Sequence, residues 1–183
     1  MAGHSQGGFA SLWIGGAMVN AEKYLAFLRA WKSNPLLAAS LRAQMPLDAT
    51  PALRVRDPRV KAAFSMAPGV FPGFGMDEEG LAQLKIPAYI IVGAQDTQTP
   101  AEEHAAFAAR HAPRTLLEVL PGPVDHEIFV NECDTECDTF GRDMMPAGCV
   151  DPAGVDRAAL HQHIGARAVV FFDDMLKVSR EVR

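Results

Sequence analysis

The chain has 183 residues, 49% of them hydrophobic and 21% charged, with a formal net charge of −5. That length fits one domain with a single core, and the mild acidity argues against nucleic acid or an anionic membrane as partner, since both select for clustered Lys and Arg. No apolar run approaches the roughly 20 residues that span a bilayer, and residues 1–10, MAGHSQGGFA, lack the basic and apolar regions of a signal peptide.

Within those first ten residues, Gly3-His4-Ser5-Gln6-Gly7 forms G-x-S-x-G. This pattern marks a strained strand-to-helix turn that exposes a serine, with glycines beside it where bulky neighbours would clash. Residues 8–20 are small and apolar and predict a helix packed on a sheet. Gly15 and Gly16 would each cost an exposed helix about 1 kcal/mol, so they are expected where another backbone comes close. Residues 21–47 read as amphipathic helix with Tyr24, Leu25, Phe27, Leu28 and Trp31 apolar, broken by Pro35 and Pro46. A helical insertion over 21–56 fits either a cap or an ordinary surface pair of helices.

Asp57-Pro58 marks a turn, and residues 60–66, VKAAFSM, predict a short strand ended by Ala67-Pro68-Gly69. A short helix is expected over 77–85. Residues 86–93, IPAYIIVG, are a continuous apolar run of the kind buried on both faces of a parallel sheet. Residues 100–111 predict a helix with proline at its start and acids in its first turn. Residues 115–120 predict another strand, stopped by Pro121-Gly122-Pro123, and 131–154 read as loop. A closing helix over 155–178 offers Ala159, Ile164, Ala168, Phe171, Phe172 and Met175 as buried positions. Strands alternating with helices place the chain in the α/β class, a short parallel sheet flanked by helices in one domain over 1–183. Three strands follow the serine turn, and Met1 and Ala2 are too short to supply one before it.

A serine hydroxyl attacks only when a base takes its proton and a third group orients that base. Ser5 is the candidate nucleophile. Asp96 lies just past the end of the 86–93 strand, where parallel sheets place their sites. It serves either as the orienting acid or as a cap for the helix beginning near Pro100. His126 follows the 115–120 strand among turn residues and is the candidate base. His4 falls inside the serine turn, whereas His104, His111, His161 and His163 fall on predicted helices.

Read in order, GHSQGG, KAAFSMAPG, IPAYIIVGAQDTQTP and LPGPVDHEIF resemble the second half of an α/β-hydrolase of the dienelactone-hydrolase-like group. They also resemble the cutinase-like polyester hydrolases and the platelet-activating-factor acetylhydrolases. The tail is similar to predicted dienelactone hydrolases through Asp156-Arg157-Ala158-x-x-His161. The resemblance implies Ser5 as nucleophile, Asp96 as acid, His126 as base, and the Gln6 backbone N–H as half of an oxyanion hole. It implies hydrolysis of a small-molecule ester, short-chain or lactone-like, through an acyl-enzyme and without a cofactor. Serine in place of the cysteine of true dienelactone hydrolases points to esters rather than to that named reaction.

The second oxyanion donor in this fold comes from a loop after an early strand. The resemblance therefore implies that this loop and the first half-sheet lie outside the sequence. A second class of reading follows, an inactive fragment or binding module that keeps the hydrolase layer. An oligomeric partner that completes the sheet is a third.

All three cysteines, Cys133, Cys137 and Cys149, lie in one stretch. With His161 or His163 they fit a Cys3His zinc pattern, while Asp134, Asp138 and Asp143 lack the glycine and glutamate spacing of a calcium loop. The resemblance implies instead a Cys133–Cys149 disulfide with Cys137 free and no metal, and such a bridge implies an exported parent protein. Three free thiols remain the other alternative.

Overall fold

The computed structural model describes residues 1–45, 47, 55–70, 74–131 and 149–177. Four strands, β1 (Ala2–His4), β2 (Ala63–Met66), β3 (Ala88–Gly93) and β4 (Thr115–Leu120), form one sheet in the order β1-β2-β3-β4. Every pairing is parallel. The class is α/β, as the alternation of elements predicts.

Strand β1 corrects the expectation of three strands. The Phe64 N–H donates to the Met1 carbonyl at 2.8 Å, and Ala2, Gly3 and His4 pair in register with Phe64, Ser65 and Met66. Three residues make a strand here because the neighbouring ladder satisfies their backbone groups.

The pleat sorts the sheet's side chains onto two cores. Ala63 of β2 and Ala88, Ile90 and Val92 of β3 join one cluster, with Leu12 of α1 (Gln6–Gly15), Leu81 of α4 (Glu78–Leu81) and Ala108 of α5 (Phe107–His111). Phe64 and Ile91 point the other way, onto Ile164 and Phe171 of α6 (Arg157–Leu176). Strand order advances in one direction, and parallel crossovers share one hand. The connections α1, α4 and α5 therefore all cover the same face, which leaves the opposite face to α6.

Several local expectations are corrected. Strand β2 begins at Ala63 rather than at residue 60. On α6, Ala159 and Met175 are exposed, because the helix buries only the narrow stripe through Arg157, Ile164 and Phe171. Gly15 accommodates side chains rather than backbone: a Cβ there would lie 2.8 Å from Ile86 Cδ1 and 3.2 Å from Leu84 Cδ1. Gly16 ends α1 at φ 126°, and its N–H returns to the Leu12 and Trp13 carbonyls. This is the left-handed C-terminal position that glycine fills without strain.

The region after α1 carries α2 (Ala21–Lys32), capped by the Asn20 side chain on the Lys23 N–H, and α3 (Ala39–Ala43). Pro46 and residues 48–54 of the 21–56 insertion lie outside the described residues.

Candidate active site

Ser5 occupies the sharp turn between β1 and α1 at φ 55°, ψ −117°. This left-handed conformation is one that a serine adopts only under constraint from its surroundings. Its N–H donates to the Met66 carbonyl at 2.9 Å, and its own carbonyl accepts from Phe9 at 3.0 Å and Gly69 at 3.3 Å. Gly3 is required by close approach: a Cβ there would stand 2.2 Å from the Gly7 carbonyl oxygen. Gly7 is not needed on those grounds, since a Cβ at that position meets nothing within 4 Å. Gln6 is the first residue of α1, so its N–H is one that helix geometry leaves without an intrahelical acceptor.

Beneath this turn lies a polar knot that sequence patterns did not flag. The buried hydroxyls of Ser11 and Ser65 each donate to the Gly8 carbonyl at 2.7 Å and sit 2.9 Å from each other. They tie the first turn of α1 to strand β2. Two serines 54 positions apart carry no shared local signal.

Asp96 and His126 come together at the carboxyl ends of β3 and β4. His126 Nδ1 lies 2.7 Å from Asp96 Oδ2, and both residues are about 95% buried. The other carboxylate oxygen, Oδ1, accepts the N–H groups of Thr99 at 2.7 Å and Gln98 at 3.0 Å. One oxygen thus orders the turn before Pro100 rather than capping the helical segment beyond it, and the other faces the imidazole. Burial pushes the Asp96 carboxyl up, but the bonds from His126 and Thr99 and the His126 charge outweigh it, so the group ends below its ordinary range. A carboxylate at Nδ1 assigns the proton to that nitrogen and leaves Nε2 as the basic lone pair.

Thr99 is the partner that the sequence reading missed. Its hydroxyl donates to Asp96 Oδ2 at 2.9 Å and lies 3.1 Å from His126 Nδ1. Its position three residues after Asp96 and just before Pro100 was a signal open to inspection, because such a residue folds back onto the carboxylate.

His126 opens a short 3-10 turn, His126–Phe129, in which the Asp125 side chain accepts from the Glu127 N–H. That turn is held from the closing helix by the motif noted in the tail. Asp156 caps α6 on the Ala159 N–H. The buried Arg157 bonds Asp151 at 2.6 Å and reaches the carbonyls of Val130 and Asn131 at 3.4 Å. His161 Nε2 lies 2.7 Å from the Ile128 carbonyl.

The remaining histidines divide by contact. His4 packs on the His126 ring. His104 is buried in a π-type turn over Glu102–Ala106. His163 Nε2 lies 2.6 Å from Glu118 Oε1.

Cys149 is disulfide-bonded. Cys133 and Cys137, with Asp134, Asp138 and Asp143, lie outside the described residues. Among the described residues no group of three His, Cys, Asp or Glu side chains is placed to hold a metal ion, and no helix is long and apolar enough to cross a membrane.

No protein-family model matches the chain, and no curated protein matches it. Among solved structures the chain is similar to Est1E from Butyrivibrio proteoclasticus, at 18% identity and a TM-score of 0.34. That likeness covers 69% of this chain and 52% of Est1E, so the chain spans about half the length of that protein.

Proposed function

We propose that the chain carries the catalytic residues of a serine carboxylic-ester hydrolase of the α/β-hydrolase superfamily, in its dienelactone-hydrolase-like group, acting on short-chain or lactone-like esters. The observation that supports this reading is that a constrained Ser5 turn and a buried Asp96–His126 couple each lie at the carboxyl ends of strands in one parallel sheet. Each residue type has a distinct task. Ser5 Oγ bonds to the ester carbonyl carbon while its proton passes to His126 Nε2. The Gln6 N–H receives the developing oxyanion. Collapse of the tetrahedral adduct breaks the carbon–alkoxide bond, and His126 returns the proton to the departing alcohol. Water, deprotonated by His126, then cleaves the acyl–serine bond and restores the enzyme. Asp96 holds the imidazole in the productive tautomer throughout, with Thr99 fixing the carboxylate.

Within this reading the α2–α3 segment is the cap, and Cys133 is the partner of Cys149. Peptide mass mapping under non-reducing conditions identifies that pairing. The catalytic assignment is tested with p-nitrophenyl acetate: Ser5→Ala abolishes turnover and Asp96→Asn lowers kcat by about 10⁴-fold. Undiminished turnover by Ser5→Ala refutes the reading.

A further inference from the structure

A cavity of about 380 Å³ lies beside the Ser5 turn, with Gln6 and Gly69 in its lining. Gln6 follows Ser5 in the chain, and the Gly69 N–H bonds the Ser5 carbonyl. The lining also includes Phe9 and Trp13 of α1, Tyr24, Phe27 and Leu28 of α2, and Phe74. The rings meet edge to face in a chain. Trp13 stands 5.8 Å from Phe9, Phe9 is 6.3 Å from Phe74, and Phe74 is 5.0 Å from Phe27, with interplanar angles of 61°, 80° and 81°. Another cavity, of 490 Å³ around Asn20 and Asp77, is lined by neither Gln6 nor Gly69.

We infer that this aromatic cavity is the acyl subsite and that it selects esters of arylalkanoic acids, such as 3-phenylpropanoates, over acetates and straight-chain alkanoates. The inference rests on the ester-hydrolase reading above. Direction follows from proton transfer. His126 protonates the leaving alcohol, so that group sits on the His126 side, against His4 and Phe129. Neither His4 nor Phe129 lines the cavity, which leaves it to the acyl group.

Size and geometry specify the class. An apolar cavity of about 150 Å³ already holds a benzene, so 380 Å³ admits a ring with its two-carbon tether. Edges and faces of neighbouring rings offer a bound ring the offset and T-shaped contacts that aromatic groups prefer, which a linear alkyl chain cannot reciprocate. The tether lets the carbonyl stay at Gln6 while the ring passes Phe9.

The test uses the full chain and a series of p-nitrophenyl esters. 3-Phenylpropanoate is expected to show kcat/KM at least about tenfold above hexanoate and acetate. Phe27→Ala and the cavity-filling Leu28→Trp should each lower the phenylpropanoate-to-acetate ratio of kcat/KM by at least about tenfold. Equal rates for phenylpropanoate and hexanoate, or losses shared equally with acetate, overturn the aryl subsite and leave the hydrolase reading standing. A second measurement follows binding of methyl 3-phenylpropanoate to Ser5→Ala by tryptophan fluorescence. Saturable binding that Leu28→Trp abolishes, with no ester turned over by the wild type, supports the subsite and overturns the hydrolase reading. Absence of both binding and aryl preference overturns the inference whichever variant folds.

Discussion

The rings of His4 and His126 pack against each other with centroids 4.6 Å apart and planes inclined by 43°. Nε2 of His4 is buried without a hydrogen-bond partner among the described residues. Burial lowers the His4 pKa below its ordinary 6.5, and the neighbouring His126 charge lowers it further against the opposing pull of Glu127 and Asp96. His4 is thus neutral beside the proposed base at neutral pH, and no fixed like charge opposes an imidazolium forming on His126.

A stability dependence follows from that depressed pKa. As pH falls below about 6.5 the unfolded chain takes up the His4 proton before the native one does. The contribution is therefore fully present above 6.5 and is lost as pH drops through the lower native value. Urea midpoints measured from pH 7.5 to 5 should fall less steeply in His4→Phe than in wild type. Parallel pH dependences would rule the relationship out.

Thr99→Val tests how the carboxylate is held. The variant keeps the β-branched shape but removes the hydroxyl from Asp96 Oδ2 and from His126 Nδ1. A hydrogen bond to a charged group contributes roughly 1.5–3 kcal/mol, so kcat/KM for an activated ester should drop by about 10- to 100-fold. The acid limb of the pH profile should also move. A merely structural role would lower thermal stability and leave the profile in place.

Gly3→Ala addresses the turn itself. The added Cβ would lie 2.2 Å from a backbone oxygen, which cannot rotate away as a side chain can. Overpacking of this kind costs about 1–3 kcal/mol, and relief by opening the turn displaces Ser5. Chemical denaturation should show the loss, and turnover should fall with it, whereas Gly7→Ala, with open space around its Cβ, should be far milder on both counts.

Thr115→Val is expected to stabilise the protein. The Thr115 hydroxyl is buried on the first residue of β4 with no hydrogen-bond partner among the described residues. Replacing it by a methyl of similar shape removes an unsatisfied polar group worth about 1 kcal/mol and keeps strand preference. A lower urea midpoint in the variant would contradict this account.

Tyr89 should ionise late. Burial raises its pKa, and the hydrogen bond to Glu118 raises it further, to about 12 from an ordinary 10. The unfolded chain loses this proton first, so the stabilisation is complete below pH 10 and disappears as pH climbs towards 12. Absorbance titration of the phenolate band should show one tyrosine near 12, and Tyr89→Phe should abolish that step.

Much of this protein was readable from its residues in order. The apolar run over 86–93 announced β3, Pro100 with its acids announced the helix after it, and Gly-x-Ser-x-Gly announced a strained turn that the structure realises at Ser5. These features are legible because they are local: periodicity, capping and turn chemistry act over a few neighbouring residues. Asp96 and His126 could be nominated on the same basis, each from its place after a strand.

What brought them together was tertiary. The parallel register of β3 with β4 sets Gly93 opposite Leu120, so that loops 30 residues apart end at one point. The same holds for what local reading missed. Strand β1 exists because β2 lies beside it, the Ser11–Ser65 knot because α1 crosses that strand, and the His4–His126 contact because the end of β1 meets the turn that follows β4. The sequence by itself determined the α/β class and the chemical types available to the site. Their juxtaposition, burial and shifted pKa values belong to the folded chain, because distances between residues remote in sequence are set by packing and by no pattern along the chain.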